Sequence, residues 1–415
     1  MSGHAPEPVA AAFREHYGRV LARLIRLTGD FDLAEDAVQH AFTTALATWH
    51  RDGAPRSPLA WIMTAARHRA VDQLRYARRF IPPDSAQVAL GNLESDAPRT
   101  PSGEIDDMAI PDDRLRLIFT CCHPALAAET RIALTLNTLC GLTTEQIARA
   151  FIVPLPTLAQ RLVRAKRKIR DAGIPYFVPP PEELRERLDS VLAVVYLVFN
   201  EGLLGGDTAA RTQLCDEALR LARLLRELVP QETEPAALLA LILLQDARRS
   251  TRVSSDGELV LLEEQDRSAW DVVKIEEGAV LVHEALERGG PRPYALQAAI
   301  AALHAQARTS NETDWPQIAA LYGVLSRVYP TPVIELNRAA AISMVDGPQV
   351  ALQLMDALAA RGELEGYHLL HAARADCLRR LDRHDEARAA YEAALACGAS
   401  GPERKFLERR LRELE

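Results

Sequence analysis

Long hydrophobic runs, aromatic residues and paired cysteines are all scarce in this chain. The longest apolar stretches, Val191 to Phe199 and Ala236 to Leu244, reach nine residues each, whereas a membrane-spanning helix needs about 20. A transmembrane protein is therefore excluded. The opening MSGHAPEPVAAAFREHYG has neither a basic start nor an apolar stretch, so no secretory signal is expected and the protein should stay in the cytoplasm. Six cysteines form no CxxC pair and no regular framework, which fits free, buried thiols in a reducing compartment rather than disulfides. Aromatic residues make up 5% of the chain and β-branched residues are sparse. With Leu, Ala, Arg and Glu dominant and strand-like alternation hard to find, the fold class is expected to be all-α. A length of 415 residues suits two or three domains.

The net charge of −8 hides an asymmetry. Residues 1–180 carry 22 basic against 19 acidic side chains, and residues 181–415 carry 27 against 38. A part fit to meet nucleic acid is joined to a part that nucleic acid would repel.

Three parts are expected. Residues 10–79 read as packed helices with turns at Thr28-Gly29-Asp30 and Asp52-Gly53-Ala54-Pro55. Residues 80–111 hold five prolines, six acidic residues and one arginine, the composition of a flexible acidic linker. Residues 112–175 form a second helical unit that ends in Gly141 to Gly173. There Thr143 and Gln146 make a capping box, an Ile152-Val153-Pro154 break follows, and Pro156 opens a second helix, Thr157 to Asp171. This is helix-turn-helix grammar. Leu158, Leu162, Ala165 and Ile169 share one face of that helix, while Arg161, Arg164, Lys166, Arg167, Lys168 and Arg170 crowd the rest. A recognition helix in the DNA major groove fits this pattern, and a solvated basic helix is the competing reading.

From Pro179 onward the chain is helical and acidic, with a helical extension at 182–290 and repeats at 291–415. An offset of 36 aligns Arg338 with Arg374, Ala339 with Ala375, Ile342 with Leu378, Ala351 with Ala387, Met355 with Tyr391 and Leu358 with Ala394. That is the spacing of helix pairs of tetratricopeptide (TPR) type, with Ile318, Tyr322 and Leu325 marking an earlier degenerate copy. An ordinary helical bundle is the alternative. Asn200-Glu201-Gly202 reads as a helix end, with Gly202 as the C-cap.

Three segments together resemble bacterial sigma factors of the extracytoplasmic-function (ECF) class, RNA polymerase subunits of the sigma-70 family. Asp30 to Phe42 looks like the region-2 helix that docks on core RNA polymerase. Ser57 to Arg75 looks like the part that melts and reads the −10 element, and Gly141 to Gly173 like the region-4 helix-turn-helix that reads the −35 element. The resemblance implies core polymerase binding through Asp30, Asp32, Glu35, Asp36, Gln39 and Phe42. It implies −10 contacts from Trp61, Arg67, His68, Arg69, Arg75, Arg78 and Arg79, and −35 contacts from Thr157, Gln160, Arg161, Arg164, Arg167 and Lys168. Taken as residues alone, an acidic first helical turn is also ordinary helix design, and Trp61 suits a core as well as a stacked base. Asp72 is expected to orient Arg67 and Arg75 by ion pairing. The carboxy-terminal 235 residues resemble the extension of a subgroup of these factors, which implies control in cis.

Enzyme readings find little support. Cys121-Cys122-His123 invites a zinc site, but neighbouring helical positions point about 100° apart. No Gly-rich phosphate loop, GxSxG or HExxH occurs. No enzyme activity, catalytic residue, metal or cofactor is expected. Expected partners are core RNA polymerase, promoter DNA, and a protein partner or intramolecular contact through the TPR-like repeats. The competing function is a helix-turn-helix regulator with a ligand- or protein-binding helical sensor domain.

Overall fold

The computed structural model describes residues 7–77, 83–95, 109–151, 153–174, 176–204, 208–399 and 401–414. Two compact units divide at residues 198 and 199. Among the described residues the regular structure is helical, and one isolated bridge joins Val253 to Leu259.

The first unit begins with α1 (Glu7–Thr28), α2 (Phe31–Asp52) and α3 (Pro58–Ala77). Gly29, at a φ of 70°, closes α1 through a bond to the Ile25 carbonyl, and Asp30 then caps α2 by accepting from the backbone of Asp32 and Leu33. Small residues let α2 lie close to its neighbours: Ala34, Ala37, Ala41 and Ala45 are all fully buried, so the helix axes are not held apart by bulky side chains. Leu21, Leu24, Ile62 and Leu74 complete this core.

Next come α4 (Pro83–Ser95) and α5 (Ala109–Cys121). The expectation of an irregular linker over 80–111 is corrected by α4, which packs on α1 and α3 and buries Ala89, Leu90 and Leu93. Those three apolar positions form one helical stripe, and burial against a ready-made surface overrides the polar composition around them. The acidic residues Asp96, Glu104, Asp106 and Asp107 lie outside the described residues.

The unit continues with α6 (Ala128–Thr138), α7 (Thr144–Ala150), α8 (Leu155–Asp171) and most of α9 (Pro181–Leu204), whose residues from Phe199 onward fall in the second unit. Because α9 runs two residues past Gly202, that glycine sits inside the helix and is not its C-cap. Two glycines set the close approach of α1 to the α6–α7 corner. A Cβ on Gly18 would lie 2.7 Å from the Leu139 carbonyl oxygen, and one on Gly141, already at a φ of 68°, would lie 2.8 Å from the Phe13 ring.

The second unit contains α10 (Thr208–Leu228), α11 (Glu234–Asp246), α12 (Val272–Gly289), α13 (Pro293–Gln306), α14 (Trp315–Val328), α15 (Pro332–Val345), α16 (Pro348–Ala360), α17 (His368–Arg380), α18 (His384–Ala396) and α19 (Gly401–Arg412). The nine-residue apolar run on α11 is buried along its whole length, flanked by α10, α12 and α13. It is a core helix. No helix among the described residues is long and apolar enough to cross a membrane.

The 36-residue offset is visible in the helices themselves: α15 and α17 start at 332 and 368, α16 and α18 at 348 and 384. Ala339 and Ala375, Ala351 and Ala387, Met355 and Tyr391, and Leu358 and Ala394 are buried together in one cluster. In the preceding pair, α13 and α14, Ile318 and Leu325 are fully buried. Helix pairs of TPR type, repeated along the chain, therefore build this end of the fold.

Candidate nucleic-acid interface

The α7–α8 pair follows from local chemistry. Gln146 donates its backbone N–H to Thr143 Oγ1 at 3.2 Å, while the Thr143 N–H donates to Gln146 Oε1 at 2.8 Å, so the capping box is complete. Val153 N–H then bonds the Ala148 carbonyl across the turn. Helix α8 opens at Leu155, two residues before the expected start, with Pro156 in its first turn, where a missing N–H costs nothing. Its buried face is Leu158, Leu162, Ala165 and Ile169. Arg164, Arg167, Lys168 and Arg170 are thereby turned outward.

Thr157, Gln160, Arg161, Arg164 and Lys168 line one open groove of about 410 Å³, with Leu126, Ala127, Glu129 and Thr130 at the start of α6 on the other wall. Thr157, Gln160, Arg164 and Lys168 are exposed and Arg161 is half-buried. Arg167 sits apart and pairs with Asp171 at 3.2 Å. Lys168 Nζ also donates to the Ala125 carbonyl. Glu129 and Thr130 had no signal in the chain, since only folding brings them opposite residues 30 positions later.

On α3 the expected −10 residues divide between two surfaces. Arg69 points to α2, where Asp36 accepts from its guanidinium at 3.3 Å and from Gln73. Arg67, His68 and Arg75 face α4 and line a cavity of about 460 Å³ with Val71, Asp72, Leu93 and Glu94. Arg75 pairs with Glu94 at 3.6 Å; the expected pairing with Asp72 is replaced because α4 supplies a nearer carboxylate. Trp61 is half-buried, edge-on to Trp49 with ring centroids 5.4 Å apart. Arg78 and Arg79 lie outside the described residues.

On α2, Asp32, Asp36 and Gln39 are exposed, Asp30 is taken up by the cap, and Glu35 is half-buried. Phe42 requires a correction. Its ring is only 5% exposed and packs on Phe13 and Tyr17, with centroids 4.8 and 6.4 Å away. It is a core residue, because the third turn of α2 rolls its apolar side toward α1.

The two helical groups of this unit are tied by buried charge. Lys166 of α8 reaches Glu35 Oε2 at 2.6 Å and Asp32 Oδ1 at 3.4 Å, with the Lys166 and Glu35 side chains each 14% exposed. Burial pushes the Glu35 carboxyl above its ordinary range, and Lys166 draws it partly back. Asp113, fully buried, accepts from Arg23 of α1 at 3.1 Å, Arg26 at 2.9 Å and Arg116 at 2.9 Å. Tyr176 donates its hydroxyl near the Ala22 and Asp113 carbonyls, at 2.8 and 3.1 Å. None of these long-range pairs had a sequence signal.

The adjacent thiols diverge as helical geometry requires: Cys121 Sγ lies 3.2 Å from the Thr138 hydroxyl and Cys122 Sγ 3.5 Å from that of Thr135. Burial pushes the Cys122 thiol up to about 11, which leaves it protonated at neutral pH. Among the described residues no group of three His, Cys, Asp or Glu is placed to hold a metal ion.

Comparison with known proteins follows the same division. The family described as Sigma-70 region 2 matches residues 12–80, Sigma-70, region 4 matches 116–169, and a family of unknown function (DUF6596) matches 187–286. The chain is similar to the uncharacterized protein R00370 of Rhizobium meliloti (strain 1021), 40% identical over 95% of this chain and 93% of that one. It is similar to the ECF RNA polymerase sigma factor SigK of Mycobacterium bovis (strain BCG / Pasteur 1173P2), 30% identical over 39% of this chain and 85% of SigK. The probable ECF RNA polymerase sigma factor SigI of Mycobacterium tuberculosis (strain CDC 1551 / Oshkosh) is 28% identical over 52% of this chain and 69% of SigI. Among solved structures, the P58(IPK) TPR domain aligns over 92% of this chain and 98% of its own at 14% identity, with a TM-score of 0.25.

Proposed function

The chain belongs to the ECF family of RNA polymerase sigma factors, and from that premise we propose how its parts divide the work of starting transcription. Residues 10–79 dock on core polymerase through the acidic face of α2 and hold the separated −10 strand along α3. Residues 112–175 read the −35 duplex with α8. Residues 182–290 and 291–415 regulate these steps in cis.

The observation that carries the reading is the groove along α8. Five side chains with the right chemistry, Thr157, Gln160, Arg161, Arg164 and Lys168, share one open face because four apolar residues hold the opposite face in the core. Gln reads adenine and Arg reads guanine in the major groove, each good bidentate contact being worth about 1–3 kcal/mol, while Lys neutralises phosphate. The exposed carboxylates Asp32 and Asp36 and the neighbouring Gln39 suit a basic partner helix. On α3, Arg67, His68 and Arg75 border a cavity of about 460 Å³, a basic surface suited to an unstacked base or sugar-phosphate, and Trp61 offers a half-open ring for stacking.

Lys166 links the two activities. While Glu35 and Asp32 hold it, part of the docking face is occupied by the DNA-reading helix, so polymerase binding and release of α8 are coupled.

Run-off transcription with purified core polymerase tests the reading. A promoter-specific transcript should appear only when the chain is added and should vanish with Arg161→Ala/Arg164→Ala. Retained duplex binding without any transcript would instead favour a helix-turn-helix regulator.

A further inference from the structure

Most cations of α8 already have partners. Lys166 meets Glu35 at 2.6 Å, Arg167 and Arg170 meet the two oxygens of Asp171 at 3.2 and 3.7 Å, and Lys168 donates to the Ala125 carbonyl. Arg161 and Arg164 differ. Among the described residues neither guanidinium takes part in an ion pair or a hydrogen bond. Both line the groove of about 410 Å³ between α8 and the start of α6, and so does a single acidic residue, Glu129. Glu129 is exposed and likewise has no ion partner among the described residues. Two free guanidiniums and one free carboxylate therefore border the same opening.

The walls of that opening are fixed. Ile132, Leu134 and Leu136 anchor α6 in the core, and the bond from Lys168 to Ala125 ties the segment before α6 to α8. A side chain carried on a packed helix is placed more precisely than one on a loop.

A carboxylate in this position opposes the general attraction of α8 for DNA, because it repels phosphate. In a first helical turn it also suits the positive end of the dipole, but that role does not require it to share a groove with unpaired arginines. A guanidinium carries five N–H donors in a planar fork. Two of them read O6 and N7 of guanine, which leaves others free for a carboxylate that fixes the plane of the fork.

We propose that Glu129, which lies outside the helix-turn-helix, is a positioning residue for −35 specificity: it orients the Arg161 and Arg164 guanidiniums toward guanine and keeps them from settling on phosphate. The inference rests on the reading of α8 as the −35 helix.

Holoenzyme assembled from core polymerase and the full chain, challenged with a promoter pool randomised across the −35 element, tests it. The unaltered chain should select at least one guanine, and 7-deazaguanine at that position, which lacks the N7 acceptor, should weaken binding about tenfold. Glu129→Gln should bind unrelated duplex more tightly, lose the guanine preference and become indifferent to 7-deazaguanine. The proposal is overturned if Glu129→Gln tightens binding to every sequence alike and keeps the preference, the mark of a charge without a positioning role. It is also overturned if the preference falls while the 7-deazaguanine penalty persists, the mark of Glu129 touching a base itself. Selection of a −35 sequence without guanine overturns the proposal but leaves the −35 reading standing, whereas no selection at all by the unaltered holoenzyme overturns both.

Discussion

Replacing Lys166 with Met leaves Glu35 buried beside Asp32 with no cation. Burial already raises the Glu35 carboxyl above 4.5, and Lys166 opposes that rise through its charge and its hydrogen bond. A carboxyl whose folded pKa lies above its unfolded value adds stability below the unfolded pKa and loses it as the pH climbs through the folded one. Removing Lys166 widens that window upward, so the variant suffers most at neutral pH and recovers near pH 5. Breaking a buried pair by removing one partner costs about 3–5 kcal/mol. With both side chains 14% exposed the lower end applies, about 3 kcal/mol, or roughly a hundredfold in the opening equilibrium. Amide exchange of α2 and α8 in the full chain, expressed as protection factors, reads this opening without assuming that two units unfold together. Lys166→Met should lose about a hundredfold of protection at pH 7.5 and far less at pH 5. Lys166→Met/Glu35→Gln should regain most of it. Protection equal to the unaltered chain at pH 7.5, or a loss of the same size at both pH values, would refute the idea that this pair fastens α8 to α2.

Other perturbations separate packing from recognition. Phe42→Ala should lower the thermal midpoint through a loss of about 3–5 kcal/mol, because its ring packs on Phe13 and Tyr17; a pure docking role would leave the midpoint unchanged. Gly141→Ala should cost about 1–2 kcal/mol for the left-handed backbone alone, with more from the Phe13 contact, measured by the same melt. Arg161→Ala/Arg164→Ala should weaken specific duplex binding by about 2–6 kcal/mol, roughly thirtyfold or more, while circular dichroism stays unchanged.

Local signals in the chain translated well into local structure. Thr143 and Gln146 cap each other, Pro156 sits in the first turn of α8, and the four residues assigned to its apolar face are buried. The 36-residue offset was legible because each repeat buries small and large side chains at matching helical positions. Helix α4 was missed because three apolar residues among acids and prolines look like a tether until α1 and α3 supply the surface they cover. Phe42 enters the docking set through the family resemblance, and its burial is hidden in the sequence because one helix turn holds acidic and apolar faces side by side. The pairs Lys166–Glu35 and Arg23–Asp113 bridge 131 and 90 positions. No periodicity reaches that far.

The most direct measurement is assembly with core RNA polymerase, followed by size-exclusion chromatography or mass photometry with purified components. The chain should form a one-to-one complex that is weakened by Gln39→Arg, a change on an exposed site of α2. A chain that stays separate from the core enzyme at micromolar concentrations, or a complex indifferent to that substitution, would contradict docking through α2.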